Sequence, residues 1–210
     1  MRPVTERFPK PLLPIDGRPV IVSLLNELRA AGITRATVVT GHLAEQIEQL
    51  LEGFPLDLRF VRQPRPEGSA DAVRRGLQRV PAIVVAADTV FTPGDLARFS
   101  EIEGHALAVR REPPPDPPHR PAVRIEGDRI ARMIDGDPEN ELGSAPLWRL
   151  GEDFDRACLD RLDGPPYELA DAFQQLIDAG EQVQAVEIGP TRDLTHPQDL
   201  VEQNFAYLSQ

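Results

Sequence analysis

Several short stretches of this sequence carry side chains whose types and spacing suit phosphate chemistry. Lys10 stands between Pro9 and Pro11 in the run FPKPLLPIDGRP, residues 8–19. Prolines leave the backbone few conformations. A cation ordered in this way loses less entropy when it meets an anion. A solvated lysine in a proline-rich surface loop would look the same. Gln63 opens the run QPRPEGSADA, in which Gly68 and Ser69 stand before an apolar-periodic segment. Glycine and small residues at a helix start let a flat ring or an anion approach exposed amides. Gln63 adds a donor and an acceptor, as recognition of a base requires. An ordinary strand-to-helix turn capped by Ser69 is the competing account.

Three carboxylates extend the set. Asp88 follows AIVVAA, the clearest buried-strand pattern in the chain. A carboxylate at that end of a buried strand is placed to hold a hard cation over bound phosphates, or else forms a turn. Asp193 lies in TRDLTHP, after the last apolar strand pattern and before the closing helix. It is a second oxygen ligand for the same cation, or a loop residue with Thr195 as the helix cap. Glu168, in YELADA, opens a predicted helix. It can hydrogen-bond sugar hydroxyls, or simply sit well at the positive end of a helix dipole.

Other chemistries find no support. His42, His105, His119 and His196 lack zinc-ligand spacing. No G-x-S-x-G elbow, P-loop or G-x-G-x-x-G run is present. Cys158 is the one cysteine and lies in a helical pattern, which suits a packed small hydrophobe in a reducing cytoplasm.

The elements that must position these groups alternate. Helical spacing covers 20–31, 43–52 and 69–79, with a shorter helix from Pro93 to Phe99. Strand patterns cover 36–40, 57–61, 82–87 and 105–110. Residues 1–19 read as a loop without strand pattern. The helix–strand alternation predicts an α/β fold with a mostly parallel sheet, its sites beyond the carboxyl ends of the strands. After a proline loop at 112–121, residues 122–135 read as a β-hairpin. A polar loop at 135–144, a strand at 145–150, helices at 152–162 and 168–179, a strand at 183–188 and a helix at 197–208 complete the chain.

The chain has 210 residues, 40% hydrophobic and 27% charged, which fits one soluble globular domain spanning 1–210. A net charge of −11 makes nucleic acid a poor partner. It leaves a nucleotide open as substrate if a divalent cation bridges carboxylates and phosphates. No apolar run is long enough to span a bilayer, and no signal-peptide pattern opens the sequence.

Taken in order, these stretches resemble the sugar-phosphate nucleotidyltransferases. FPKPLLPIDGRPVI is similar to the family's lysine motif, and QPRPEGSADAV to its base-contacting segment. VVAADTVFTPGDL and TRDLTHPQDLVEQN resemble its two metal-aspartate segments, and YELADAFQQLIDAG its sugar-contacting glutamate segment. The resemblance implies a nucleotide-diphospho-sugar transferase-like fold. That is a three-layer, Rossmann-like, mixed but mostly parallel sheet with helices on both faces and a small β-hairpin insertion. It implies a cytoplasmic enzyme transferring a nucleotidyl group from a nucleoside triphosphate to a sugar-1-phosphate, releasing pyrophosphate. Lys10 would contact phosphates and serve catalysis together with Asp88. Gln63, Gly68 and Ser69 would contact the base, Glu168 the sugar, and Asp88 with Asp193 would hold Mg²⁺. Choline phosphate or another phosphorylated alcohol could replace the sugar.

The sequence also departs from the family. The strand and glycine-rich phosphate loop that open the family are absent before Arg2, which predicts a gap or an exposed sheet edge. Ala87 stands where glycine is common, and His196 where a glycine follows the second aspartate. A catalytically degenerate domain that binds a nucleotide, a sugar phosphate or a protein partner is therefore the competing reading.

Overall fold

The structure is a computed structural model and describes residues 3–111, 122–135, 140–194 and 196–204. His119, Thr195 and the proline loop at 112–121 lie outside them. The chain forms two compact units, each assembled from separated stretches. The first comprises Met1–Pro64, Ala86–Ala97 and Thr191–Gln210; the second comprises Arg65–Val85 and Arg98–Pro190.

The first unit opens with a hairpin where the sequence predicts only a loop. Strands β1 (Pro14–Ile15) and β2 (Arg18–Pro19) pair antiparallel around Asp16 and Gly17. Both turn residues have positive φ, 52° and 75°. That is the two-residue turn whose twist matches a hairpin, and Asp-Gly is among its preferred sequences. Helix α1 (Val20–Ala30) follows directly. Its buried residues Val20, Ile21, Leu24, Leu25 and Leu28 form one apolar stripe at helical spacing. Strand β3 (Arg35–Thr40), helix α2 (Ala44–Leu50) and strand β4 (Asp57–Arg62) make a right-sized crossover unit. β3 and β4 pair in parallel from Arg35↔Asp57 to Thr40↔Arg62.

The second unit begins with helix α3 (Ser69–Gly76) and strand β5 (Ala82–Val85). The chain returns to the first unit for strand β6 (Thr89–Val90), and helix α4 (Asp95–Ser100) leads out of it. Strands β7 (His105–Arg111), β8 (Ala122–Glu126), β9 (Arg129–Asp135) and β10 (Leu142–Leu150) follow. Helix α5 (Leu169–Asp178) and strand β11 (Val183–Glu187) complete the second unit. Strand β12 (Arg192–Asp193) and helix α6 (Asp199–Glu202) belong to the first.

The second unit's sheet has the order β5-β10-β7-β11-β9-β8. It corrects the expectation of a mostly parallel sheet: β7–β11 is its parallel pair, and the pairings of β10 with β5 and β7, of β9 with β11 and of β8 with β9 are antiparallel. The reason is local. Parallel neighbours need a crossover of a dozen residues or more, whereas β8 and β9 are joined by a tight turn at Gly127–Asp128. The hairpin is not set apart from the sheet, because Ala122 pairs with Gly143 and Arg129 with Gln184. β10 starts at Leu142, inside the stretch expected to be a loop. Its register against β7 shifts between Ser144 and Trp148, which absorbs Pro146, a residue with no N–H for the ladder.

Among the described residues β5 has one ladder partner, β10, and β3 pairs only with β4. The apolar run of β5 is half-buried throughout, consistent with a strand at a sheet edge. The second unit's core packs Leu107, Val109, Leu150, Leu169, Phe173 and Leu176 together, the last three from one face of α5. Burying Phe173 contributes about 2–3 kcal/mol. The segment expected to be a helix at 152–162 narrows to a 3-10 turn, Arg156–Asp160, with Asp155 accepting the Ala157 N–H at 2.9 Å. Cys158 within it is buried, and that burial pushes its thiol pKa up, so it is unreactive packing. Among the described residues no helix is long and apolar enough to cross a membrane.

Candidate active site

Lys10 begins a 3-10 turn, Lys10–Leu12, entered through the extended Pro9. The Leu12 N–H donates to Pro9 O and the Leu13 N–H to Lys10 O, each at 2.9 Å. These bonds and the flanking prolines fix the backbone that carries the ammonium. Lys10 Nζ lies 3.9 Å from Asp88 Oδ2, with the two side chains 38% and 36% exposed. At that distance the pair is electrostatic contact rather than a tight hydrogen bond. Both charges stay reachable from solvent.

Asp88 sits between β5 and β6, and the register of β6 with β12 places Asp193 opposite Thr89 and Arg192 opposite Val90. A backbone ladder thus brings Asp193, distant in sequence, to the residue next to Asp88. Lys10, Asp88 and Asp193 all belong to the first unit. Oxygen donors of this kind suit Mg²⁺, which takes one or two carboxylates and leaves its other positions to water and phosphate.

Gln63 follows β4 in the same unit, and its N–H donates to Thr40 O at 2.7 Å. That bond continues the β3–β4 ladder by one residue. Gly68, Ser69 and Glu168 form a separate cluster in the second unit. Gly68 has φ 107°, and a Cβ there would lie 2.2 Å from Tyr167 O. The space a side chain would occupy is taken by the Tyr167 backbone, which also accepts the Ala70 N–H at 2.9 Å. Ser69 does not cap its own helix. Its hydroxyl donates to Glu168 Oε2 at 2.6 Å and accepts the Leu169 N–H at 2.8 Å, so it caps α5 from outside. Replacing Ser69 by Ala removes that acceptor from the first turn of α5. A loss of about 1 kcal/mol is expected, seen as a melting temperature lower by roughly 2–4 °C.

Sequence reasoning missed three residues around the first cluster. Arg192 Nη2 donates to Asp16 Oδ2. That hydrogen bond from Arg192 holds the Asp16 carboxyl below the usual carboxylate range. Asn204 Oδ1 accepts the Asp16 N–H at 2.8 Å, and its Nδ2 donates to Pro14 O at 2.9 Å and Leu200 O at 2.8 Å. The Asp16-Gly17 turn signal was readable in the sequence, but its partners 176 and 188 residues away were not.

A second group of possible metal ligands lies in the second unit. His105, Asp153 and Glu181 offer ligand atoms within 4.8 Å of one another. The buried His105 ring accepts the Gly151 N–H on Nδ1 at 3.0 Å, which leaves its own proton on Nε2, 3.3 Å from Asp153 Oδ1. An Nε2 that carries a proton is a donor, not a metal ligand.

The chain matches the MobA-like NTP transferase domain over residues 4–123. It is 29% identical over 210 aligned positions to the bifunctional protein GlmU of Acidovorax sp. (strain JS42), covering 88% of this chain and 43% of that protein. It is 29% identical over 178 positions to the CMP-5'-(3-aminopropyl)phosphonate synthase of Streptomyces rubellomurinus, covering 76% of this chain and 28% of that protein. The chain thus spans less than half the length of either relative. Its fold matches a crystal structure of UDP-glucose pyrophosphorylase complexed with UDP-glucose, with a TM-score of 0.85 at 20% identity, covering 100% of this chain and 94% of the other. The fold is therefore the α/β fold of that nucleotidyltransferase, built on a mixed sheet. Because the matched domain takes in more than half of the 210 residues, the protein belongs to the MobA-like NTP transferase domain family, a family of nucleotidyltransferases.

Proposed function

We propose that this chain transfers a nucleotidyl group from a nucleoside triphosphate to a sugar-1-phosphate or a related phosphorylated small molecule, releasing pyrophosphate. The observation that carries this reading is the solvent-accessible Lys10–Asp88 pair at 3.9 Å, with β12 pairing Asp193 opposite Thr89, the residue after Asp88. An oxygen of the acceptor phosphate attacks the α-phosphorus, the bond from that phosphorus to the bridging oxygen breaks, and pyrophosphate leaves with the electron pair. A phosphate monoester carries a charge of about −1.5 to −2 at pH 7, so no general base is needed. Lys10 would bind the triphosphate and take up part of the charge that develops on it. Asp88 and Asp193 would hold Mg²⁺, which supplies charge neutralisation when bound. Gln63, Gly68 and Ser69 would face the base, and Glu168 the hydroxyls of the acceptor. Because each unit is made of separated stretches of chain, we read the two as one nucleotidyltransferase domain over residues 1–210.

The test is pyrophosphate release by the purified protein with Mg²⁺, a panel of nucleoside triphosphates and a panel of sugar-1-phosphates and short aminoalkylphosphonates. The phosphonates enter because one relative is by name a phosphonate synthase. Release that depends on one triphosphate and one acceptor supports the proposal and names both substrates. Ligand-induced thermal stabilisation without release across the panel would replace it with the binding-only reading.

A further inference from the structure

Asp193 lies between two anchored neighbours. Before it, Arg192 reaches Asp16 through its guanidinium and Gln203 O through Nη1 at 3.4 Å. After it, Leu194 is 1% exposed and packs with Leu13, Ile15 and Val20. Of these partners, Asp16, Leu13, Ile15 and Val20 belong to the chain that follows Lys10 directly. The same chain is tied back by Asn204, which binds both Pro14 and Asp16. The strand carrying one candidate metal carboxylate is therefore joined to the segment carrying the phosphate-binding lysine, through one ion pair and one small core. Arg192 and Asp16 are themselves 39% and 48% exposed, so their pairing adds little to global stability. What the pair does is join the turn at Asp16 to β12 by a side-chain contact.

We propose that Arg192 and Asp16 form a latch that positions Asp193 for metal binding next to Asp88, making Arg192 a positioning residue of the metal centre. The proposal rests on the reading of Asp88 and Asp193 as the Mg²⁺ carboxylates. Groups outside the ligand set that orient a ligand change metal affinity by about 10–100-fold when removed. The latch acts through the backbone of β12 rather than through a bond to the carboxylate, so the lower end of that range applies.

The experiment is Mn²⁺ binding to the full chain, followed by electron paramagnetic resonance of the free ion. It compares the wild type with Arg192→Leu, Asp16→Gly, which suits the positive φ of the turn, and Arg161→Gln. The last breaks the exposed Arg161–Asp155 pair of the second unit and controls for the loss of any surface ion pair. Each single latch variant is expected to weaken Mn²⁺ binding about tenfold, with a melting temperature close to wild type. Arg161→Gln should leave binding unchanged. Equal Mn²⁺ affinity in the wild type and in Arg192→Leu, or in the wild type and in Asp16→Gly, would overturn the latch while leaving the metal reading intact. A wild type that binds no Mn²⁺ would overturn both.

Discussion

Asp88→Asn is expected to lower nucleotidyl transfer by about a thousandfold or more, read as pyrophosphate release under saturating substrates. The substitution keeps the shape of the side chain and removes its negative charge. Two consequences follow from the geometry. A cation over the triphosphate loses one of the two carboxylates that would hold it, and the Lys10 ammonium loses the counter-ion 3.9 Å away. The loss should fall mainly on kcat, because charge neutralisation matters most as the bond to pyrophosphate breaks. Asp88 is about a third exposed and Asn keeps its shape, so the variant should fold. A variant that retains transfer within tenfold of wild type would remove Asp88 from the metal centre.

Gly68→Ala is expected to produce the largest loss of stability from a single methyl group. At φ 107° an L-residue is strained whatever the space around it. The added Cβ would also lie 2.2 Å from Tyr167 O, 2.6 Å from its N and 2.7 Å from its C, all of them backbone atoms. A flexible side chain could swing away from such a contact; a backbone held by the Ala70 N–H on one side and by Glu67 O on the other cannot do so cheaply. Strain at the positive φ and forced separation of two segments together give about 3–5 kcal/mol. In a protein of this size that is a drop in melting temperature of roughly 6–20 °C. The same displacement would open the Ser69–Glu168 contact, so any role of Glu168 toward the acceptor should weaken in parallel. A thermal melt measures the first effect, and the acceptor KM measures the second. A melting temperature within 2 °C or so of wild type would mean that the 167 segment yields easily.

Much of the fold was legible because the signals are local. The helices at 20–30 and 169–178 follow from apolar residues at helical spacing, each ended by a glycine of positive φ, Gly32 and Gly180. Strands β3 and β5 follow from short β-branched runs, and β4 from a short run carrying Leu58, Phe60 and Val61. The 122–135 hairpin follows from two such runs around Gly127–Asp128. The candidate site residues Lys10, between prolines, and Asp88, after an apolar strand, are marked by their immediate neighbours, and the structure sets the two 3.9 Å apart.

Tertiary structure decided what depends on partners far along the chain. Whether strands pair parallel or antiparallel is set by the path of the connection. β10 runs antiparallel to both its main neighbours, β5 and β7, and no pattern inside β10 announces that. Two-residue strands such as β6 and β12 are too short to show a period, and they exist only because each finds the other. Ser69 reads as the cap of its own helix, yet its hydroxyl serves α5, since the close approach at Gly68 brings Leu169 within reach. Arg192 and Asp16 are unremarkable charged residues until the chain closes on itself and sets them in contact across 176 positions. Spacing along a chain carries the periodicity of helices and strands, because that periodicity is a property of neighbouring residues. A long-range contact is a property of the packed whole, and becomes visible only there.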